Sequence, residues 1–197
     1  MRIISGSARG TKLRSVDVEG LRPMLDRVKE ALFNIIRDAL PGSRVLDLFA
    51  GTGALGLEAL SRGADRCVFV EQNARLARLI MENAEKCHLA DRSEVLRADA
   101  LALPGAPPTG AGPAGLVLVD PPYAMVEDPH KRAELFKTLD GLCGAWADER
   151  ALFVLHHSPM PYAVWPTDRL VETDQRIYGR SQLTFLERAG EGTDVGT

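Results

Sequence analysis

The tetrapeptide Asp120-Pro121-Pro122-Tyr123 follows an apolar run at 116–119 and combines a carboxylate, a rigid backbone and an aromatic ring. The Asp120 carboxylate can accept one hydrogen of an amino group, and the Pro121 carbonyl, whose direction the proline rings fix, can accept the other. Two such acceptors draw an aromatic amine towards tetrahedral geometry and free its lone pair. The Tyr123 ring adds a stacking face worth about 1–3 kcal/mol. The pattern predicts methylation of an exocyclic amine on a nucleic-acid base by these four residues, with a plain turn as the alternative.

A glycine-rich segment earlier in the chain indicates a ligand-binding loop. Gly51, Gly53 and Gly56 fit the pattern G-x-G-x-x-G after an apolar run at 44–48, and Glu71 lies about 20 residues further on. Glycines at these places allow a tight turn and a close approach of the backbone to a ligand. An acid in the position of Glu71 accepts ribose hydroxyl hydrogens in dinucleotide-binding enzymes and in methyltransferases alike, so this loop does not separate the two classes.

Two further carboxylates favour a methyltransferase. Asp47 ends the first apolar run, where it would repel a pyrophosphate but can meet the ammonium of a methionyl group. Asp99 follows a later strand and is expected to accept a hydrogen bond from an adenine amino group, although a turn or cap residue would look the same. The predicted cofactor is S-adenosylmethionine. The predicted cofactor-binding residues are Asp47, Phe49, Gly51, Gly53, Glu71, Asp99 and Ala100.

Short apolar runs that alternate with helical segments must position these residues. Such alternation predicts parallel strands in a doubly wound α/β sheet, with ligands at the carboxyl ends of the strands. The predicted strands are 44–48, 67–71, 93–97, 116–119 and 151–155, with helices at 54–62 and 73–86. A closing hairpin at 169–177 and 182–187, two short strands near residues 2–4 and 11–13, a helix at 26–36 and a loop at 104–115 complete the prediction.

Charge and composition set the wider limits. The chain has 197 residues and a net charge of −3, which fits one ordinary domain and does not by itself indicate nucleic acid. The first fourteen residues nevertheless carry four cations and no acid, so an anionic partner and a solvated surface are equally compatible with them. The predicted RNA-binding residues are Arg9, Lys12, Arg14 and Arg22. The absence of a long apolar run and of a secretory signal predicts a cytoplasmic protein without membrane contact.

Cysteines and histidines do not suggest a metal site. The three cysteines have no regular spacing, so neither a disulfide framework nor zinc is expected. His156 and His157 end the fifth strand, and adjacent strand residues point to opposite faces, so the pair is not expected to hold one metal ion. A structural or rim position is the favoured interpretation of both, and the role of His156 stays open.

Three blocks of the sequence resemble one family of methyltransferases. Residues 22–23 with 26–34, residues 45–60 and the tetrapeptide at 120–123 are similar to the RsmD-type bacterial 16S ribosomal RNA guanine-N2 methyltransferases. The resemblance extends over nearly the whole chain, from Arg2 to Leu186. The middle block is common to many methyltransferases, whereas the first block is far more specific to this family.

The resemblance implies a seven-stranded Rossmann-like methyltransferase sheet with a short N-terminal β-hairpin and helix as an extension. It implies transfer of a methyl group to the N2 amine of a guanine in 16S rRNA of the small ribosomal subunit. Residues 1–188 are expected to form a single domain, with 1–40 as the hairpin and helix and 41–188 as the catalytic core. Residues 189–197 are expected to be a disordered tail, and the protein is expected to be a monomer.

Three other functions are compatible with the sequence. An adenine-N6 methyltransferase of DNA or RNA would use the same tetrapeptide, and a nicotinamide dehydrogenase would use the same glycine loop. A non-catalytic ribosome-assembly factor would bind RNA through the basic N-terminus alone. Arg22 and Arg27 are compatible with the amino-acid end of the cofactor, with the RNA path, or with a buried ion pair.

Overall fold

A computed structural model describes residues 1–16, 24–103, 105, 107, 112–160 and 163–190. Arg22 and Pro23 of the first motif block, part of the predicted loop at 104–115 and residues 191–197 of the predicted tail therefore lie outside the described residues. The strands are β1 Arg44–Leu48, β2 Arg66–Val70, β3 Ser93–Leu96, β4 Ala114–Val119, β5 Ala147–His157, β6 Leu170–Tyr178 and β7 Ser181–Arg188. The α-helices are α1 Asp26–Ile35, α2 Ala54–Ser61, α3 Ala74–Lys86, α4 Tyr123–Glu127 and α5 Pro129–Leu142.

The strands form one seven-stranded sheet in the order β3-β2-β1-β4-β5-β7-β6. Strands β1 to β5 are parallel, and β7 pairs antiparallel with both β5 and β6. Successive side chains of the buried strands point to opposite faces, so that Phe69 joins an apolar core with α1, α2 and α3 while Val70 joins a second core with α5. The predicted doubly wound α/β fold with seven strands is confirmed.

The strand order explains why two distant motifs meet. Because β4 pairs with β1, the tetrapeptide after β4 lies beside the glycine loop after β1. The backbone N–H of Asp120 donates to the carbonyl of Leu48 at 3.4 Å, which joins the two strand ends directly. Parallel strands put all of their carboxyl ends at one edge of the sheet, which makes this edge the place for a ligand.

Two helices between β4 and β5 were absent from the sequence-based prediction. Asp128 caps α5, since its side chain accepts hydrogen bonds from the backbone N–H groups of His130 and Lys131. Pro129 occupies the first position of that helix, where a missing N–H costs nothing. The dipeptide Asp128-Pro129 was the available signal for a helix start. Strand β5 is also longer than predicted, with 11 residues from Ala147 to His157.

Residues 1–16, here called the N-terminal arm, form a looser hairpin than predicted. A single antiparallel bridge joins Arg2 and Lys12, in place of two regular strands. The arm docks instead on α2: the N–H groups of Ile4 and Ser5 donate to the Glu58 carboxylate at 2.7 and 3.0 Å. Backbone groups that a second strand would have satisfied are satisfied here by a buried side chain.

Glu58 is a buried carboxylate that holds several partners. Besides the two arm N–H groups, it accepts from Arg62 Nε at 2.7 Å and lies 3.6 Å from Lys29 Nζ. Burial lowers the pKa of Lys29, while Glu58 works in the opposite direction and favours the ammonium. Lys29 Nζ also donates to the Arg2 carbonyl at 2.6 Å. Since buried charges require partners, this cluster fixes the arm against both α1 and α2.

Two glycines of the arm allow a matched stability test. Gly6 and Gly10 both have φ of +84°, but a Cβ on Gly6 would collide with the carbonyl oxygen of Ser61, whereas one on Gly10 would meet nothing within 4 Å. Both alanine variants bear the left-handed strain of about 1–2 kcal/mol. Gly6→Ala is expected to lose about 1–3 kcal/mol more through the clash. Urea unfolding measures both, and equal losses of unfolding free energy would contradict the docking.

Two further observations complete the fold. The predicted closing hairpin is confirmed, with Gly179 at φ of +65° in the two-residue turn between β6 and β7. Beyond β7, the N–H of Ala189 donates to the carbonyl of Arg169 at 2.9 Å. None of the helices in the described part of the chain is both long and apolar enough to cross a membrane.

Candidate active site

A cavity of about 630 Å³ lies at the carboxyl ends of β1, β2, β3 and β4. Its volume falls within the range of small-molecule sites, about 300–1,000 Å³. Ten of the predicted site residues line it, and they come from four different strand ends. These residues are Asp47, Phe49, Gly51, Glu71, Asp99, Ala100, Asp120, Pro121, Pro122 and Tyr123.

Asp47 is the most deeply buried of these carboxylates, with 1% of its surface exposed. One oxygen, Oδ2, accepts the backbone N–H of Gly56 at 2.9 Å, but no described residue donates to Oδ1. Burial, together with the nearby Asp120 and Glu71 carboxylates, raises the pKa of Asp47 to about 8, against the opposing hydrogen bond from Gly56. A buried carboxylate oxygen without a donor at a cavity wall has the chemistry to accept a hydrogen bond from a cationic group.

The glycine loop is shaped by backbone conformations that side chains disfavour. Gly51 and Gly53 have φ of +57° and +78°, and Gly53 forms the N-cap of α2. A Cβ on Gly56 would collide with the Phe69 ring and the Cys67 sulfur, so this glycine lets α2 pack closely on β2. Gly53 shapes the turn without lining the cavity. Phe49, at φ of +60°, stores about 1–3 kcal/mol of backbone strain, as residues at ligand sites often do.

Glu71 and Asp99 complete the cavity at β2 and β3. Glu71 accepts the backbone N–H of Gly51 at 2.8 Å through one oxygen and that of Asn73 at 2.8 Å through the other. Each oxygen keeps a second lone pair, so the fixed carboxylate can still accept two hydroxyl hydrogens. Asp99 accepts the N–H of Leu101 at 3.0 Å and thereby caps a short helical turn. Its side chain is therefore occupied locally as well as exposed to the cavity.

These residues match the chemical groups of S-adenosylmethionine. The free Asp47 oxygen suits an ammonium, the Glu71 carboxylate suits a pair of ribose hydroxyls, and the apolar side chains of Val70 and Leu76 in the wall suit a purine ring. The donor set fits this cofactor, whereas the pyrophosphate of a dinucleotide would offer Asp47 no cationic partner.

The tetrapeptide is held by a hydrogen-bonded chain of side chains. Asp120 Oδ1 lies 2.7 Å from His156 Nδ1, and His156 Nε2 lies 3.2 Å from the Tyr123 hydroxyl. The Tyr123 hydroxyl lies 3.2 Å from Ser181 Oγ, at the start of β7. His156 meets the Tyr123 ring edge-on, with centroids 5.5 Å apart. Strand β5 and the closing hairpin therefore both support the tetrapeptide at the cavity edge.

Comparison with known proteins agrees with this geometry. A family model described as "Conserved hypothetical protein 95" matches residues 1–187. The Bacillus subtilis protein named "Putative rRNA methyltransferase YlbH" is 44% identical over 191 residues, which are 96% of this chain and 100% of that protein. The Escherichia coli "Ribosomal RNA small subunit methyltransferase D" is 36% identical, over 98% of this chain and 92% of that protein.

The chain belongs to the RsmD-type methyltransferase family. A solved structure, described as a methyltransferase, yhhF, from Escherichia coli, superposes with a TM-score of 0.78 at 29% identity. The superposition covers 95% of this chain and 97% of that one. Membership of the RsmD-type family thus extends from the N-terminal arm to β7 and is not restricted to the glycine loop.

Three of the four predicted RNA-binding residues of this RsmD-type protein, Arg9, Lys12 and Arg14, lie on the arm and outside the cavity. Arg9 and Lys12 are exposed, and their side chains form no ion pair with any described residue. Arg14 is paired with Glu82 at 2.6 Å, a partner that the sequence did not reveal. Arg22 lies outside the described residues. Arg27 is exposed on α1, and its guanidinium approaches the turn at Gly179, so the buried ion pair considered for it is not formed.

Sequence reasoning missed His156 and Ser181 as neighbours of the tetrapeptide. His156 was favoured as a structural or rim residue, yet it contacts both Asp120 and Tyr123. Its neighbour His157 points to the other face, where it contacts Ser158, Thr184 and the Trp165 ring. Burial lowers the pKa of His157 to about 4, so this histidine stays neutral. The position of His156 at the carboxyl end of a strand beside β4 was the available signal.

Proposed function

We propose that this protein transfers a methyl group from S-adenosylmethionine to the N2 amine of a guanine in 16S rRNA of the small ribosomal subunit. One observation carries the proposal: Asp120 of the tetrapeptide lines the same cavity as Asp47 and Glu71. Amine-holding and cofactor-holding groups therefore share one space. The names of the relatives, which specify ribosomal RNA and the small subunit, supply the substrate class.

Three carboxylates of the cavity are each assigned to one group of the cofactor. Asp47 would hold the ammonium, Glu71 the ribose hydroxyls and Asp99 the adenine amino group, while Phe49, Gly51, Gly53 and Ala100 shape the walls and the turn. When bound, S-adenosylmethionine supplies an electrophilic methyl group on sulfur, which an amine nitrogen can attack. No cluster of three or more potential metal ligands occurs among the described residues, and the donor set proposed here consists of carboxylates and backbone groups.

The tetrapeptide would prepare the amine. Asp120 and the Pro121 carbonyl each accept one amine hydrogen, which directs the nitrogen lone pair away from the base plane. Pro122 fixes the backbone, and the Tyr123 ring stacks on the base at about 1–3 kcal/mol. Positioning supplies much of the rate in a transfer of this kind, so Asp120 need not be a strong base. The proton that the product amine sheds passes to Asp120 or to water.

The proposal also covers the domain organisation, the oligomeric state, the location and the RNA contact of the protein. Residues 1–188 act as one domain, the protein works as a monomer in the cytoplasm, and its substrate is the RNA within a small subunit. The arm supports an RNA contact because Arg9 and Lys12 carry exposed charges without an ion pair to the rest of the described chain. Arg14 and Arg22 would extend that contact.

Labelled methyl transfer tests the function. The protein, labelled S-adenosylmethionine and small subunits from a strain that lacks the protein are combined, and the RNA is digested to nucleosides. Labelled N2-methylguanosine is the expected product. N6-methyladenosine in its place would overturn the choice of guanine. Subunit binding without any labelled product would indicate a non-catalytic assembly factor and contradict the proposal.

The arm cations are expected to set the salt dependence of RNA binding. Each phosphate contact contributes about 0.7–0.9 to the slope of log K against log salt. The double variant Arg9→Ala, Lys12→Ala is therefore expected to lower that slope by about 1.5, with little change in the kcat of methyl transfer. Arg150→Ala is the matched control, because Arg150 is exposed near the opposite end of β5 from His156. Equal slopes for all three proteins would contradict an RNA contact by the arm.

A further inference from the structure

His156 is a buried imidazole whose two nitrogens both face the tetrapeptide. Nδ1 lies 2.7 Å from Asp120 Oδ1, and Nε2 lies 3.2 Å from the Tyr123 hydroxyl. His156 is the last but one residue of β5 and lies 36 residues after Asp120 in the sequence. No other described side chain hydrogen-bonds both Asp120 and Tyr123. The imidazole is thus the rigid spacer between the carboxylate and the phenol.

Because the Asp120 carboxylate is an acceptor, it determines which atom donates in each hydrogen bond from Asp120 through His156 and Tyr123 to Ser181. An ionised carboxylate can only accept, so Nδ1 must carry the hydrogen. Nε2 of the neutral ring is then an acceptor, and the Tyr123 hydroxyl donates to it. The Tyr123 oxygen in turn accepts from Ser181 Oγ at 3.2 Å. With a neutral imidazole, the three hydrogen bonds point the same way, from Ser181 to Asp120, and polarise one another.

The two hydrogen bonds of His156 fix both the Asp120 carboxylate and the Tyr123 ring. The hydrogen bond to Oδ1 fixes the rotation of the Asp120 carboxylate and leaves Oδ2, to which no described residue donates, for an incoming amine. The hydrogen bond to the hydroxyl fixes the tilt of the Tyr123 ring. Both groups meet the base in the proposed reaction, so one imidazole would control the two contacts on which the geometry of attack depends.

We infer that His156 is a positioning residue for the methylated base, orienting Asp120 through Nδ1 and the Tyr123 ring through Nε2. This inference rests on the proposed function, because it assigns to the two ends the roles of amine acceptor and stacking face. His156 touches neither the base nor the cofactor in this scheme. It acts only through the side chains that do.

Two amide substitutions of His156 separate its contact with Asp120 from its contact with Tyr123. His156→Asn places an amide N–H near the position of Nδ1 but has no group at Nε2. His156→Gln reaches the position of Nε2 but loses the donor to Asp120. A hydrogen bond to a charged group is worth more than one between neutral groups, so His156→Gln is expected to lower kcat by about 10- to 100-fold. His156→Asn is expected to keep kcat within about threefold and to raise KM for the subunit by about three- to tenfold.

His157→Gln provides the matched control. His157 is also buried and hydrogen-bonded, but it faces Thr184 and Trp165 and lies outside the site. A purely structural role for His156 predicts that all three variants lose folded protein and activity in proportion, with no split between kcat and KM. That outcome would overturn the inference, whereas a lower kcat in His156→Gln together with a higher KM in His156→Asn supports it. Thermal unfolding of each variant gives the folded fraction.

Imidazole nitrogen NMR gives a readout that does not depend on methyl transfer. The Nδ1–H tautomer is expected for His156, with its proton signal lost in Asp120→Ala and retained in Tyr123→Phe. The Nε2–H tautomer in the wild type would overturn the inference even if the protein methylates guanine. If the protein transfers no methyl group to subunits, the proposed function fails, and the tautomer still shows whether the hydrogen-bonded chain exists.

Discussion

Replacing Asp120 with alanine is expected to lower the kcat of methyl transfer by about 10²- to 10³-fold, the usual cost of losing one group aimed at the transition state. Asp120 carries the only carboxylate in the tetrapeptide, and its partly exposed position at the cavity edge lets it reach an amine. Without it, a single carbonyl would hold the amine. Steady-state kinetics with subunits as substrate measures the change.

Cofactor binding distinguishes lost chemistry from a damaged site. Because Asp120 is proposed to hold the amine and not the cofactor, Asp120→Ala is expected to bind S-adenosylmethionine with less than a tenfold change in Kd, which is about 1.4 kcal/mol. Asp120→Asn keeps one carbonyl oxygen and is expected to retain more activity than the alanine variant. An alanine variant with wild-type kcat would remove Asp120 from the mechanism, and one that no longer binds cofactor would make it a structural residue.

Replacing Asp47 with asparagine is expected to weaken S-adenosylmethionine binding by about 10- to 100-fold, the value of a hydrogen bond to a charged group. The pKa of about 8 means that Asp47 is largely protonated at pH 7 in the empty cavity. An ammonium requires the carboxylate, so binding must release a proton. Affinity of the wild type is therefore expected to rise between pH 6 and pH 8, by up to about tenfold per pH unit.

Calorimetry in two buffers of different ionisation enthalpy measures that proton directly. The wild type should release close to one proton per cofactor at pH 7, and Asp47→Asn should release none from this site. Equal proton release by the two proteins would show that Asp47 does not meet the ammonium. Asp99→Asn is a suitable control, since Asp99 is exposed and is proposed to meet the uncharged adenine amino group.

The same titration affects the stability of the empty protein. The folded-state pKa of Asp47 is raised from 3.8 to about 8, so between these values the folded protein binds more protons than the unfolded chain. Its contribution to stability is present below pH 3.8 and is lost as the pH rises through about 8. Asp47→Asn removes this dependence, and urea unfolding of both proteins across the range would reveal it.

The sequence predicted the parts of the site that strand topology controls. The run before Asp47, the run before Asp120 and the intervening helices require parallel strands with adjacent carboxyl ends, so the meeting of the two motifs could be expected. Glu71 followed from the length of one strand–helix–strand unit. These inferences require only the order of strands and helices along the chain. They do not depend on side-chain conformations.

Contacts between distant side chains could not be predicted in the same way. The position of His156 at the end of β5 could be expected, but its contact with Asp120 depends on the rotamer of the imidazole, which is not visible in a sequence. Glu58 and Ser61 look like residues of an ordinary helix, but the arm covers them. The pairing of Arg14 with Glu82 joins residues 68 positions apart, for which charge alone offers many partners.

The docking of the arm also bears on the order in which the chain folds during synthesis. The N–H of Ile4 finds its acceptor 54 residues later, and that of Arg14 finds Asn83 after 69 residues. At about 5–20 residues per second, roughly 3–14 s pass between the emergence of Arg14 and that of its partner. The arm residues are therefore fixed later than their own emergence from the ribosome, once these partners have been synthesised. The arm can dock on α2 and α3 only after Glu58 and Asn83 have been synthesised, and it then joins the helices that pack on the half of the sheet carrying the glycine loop.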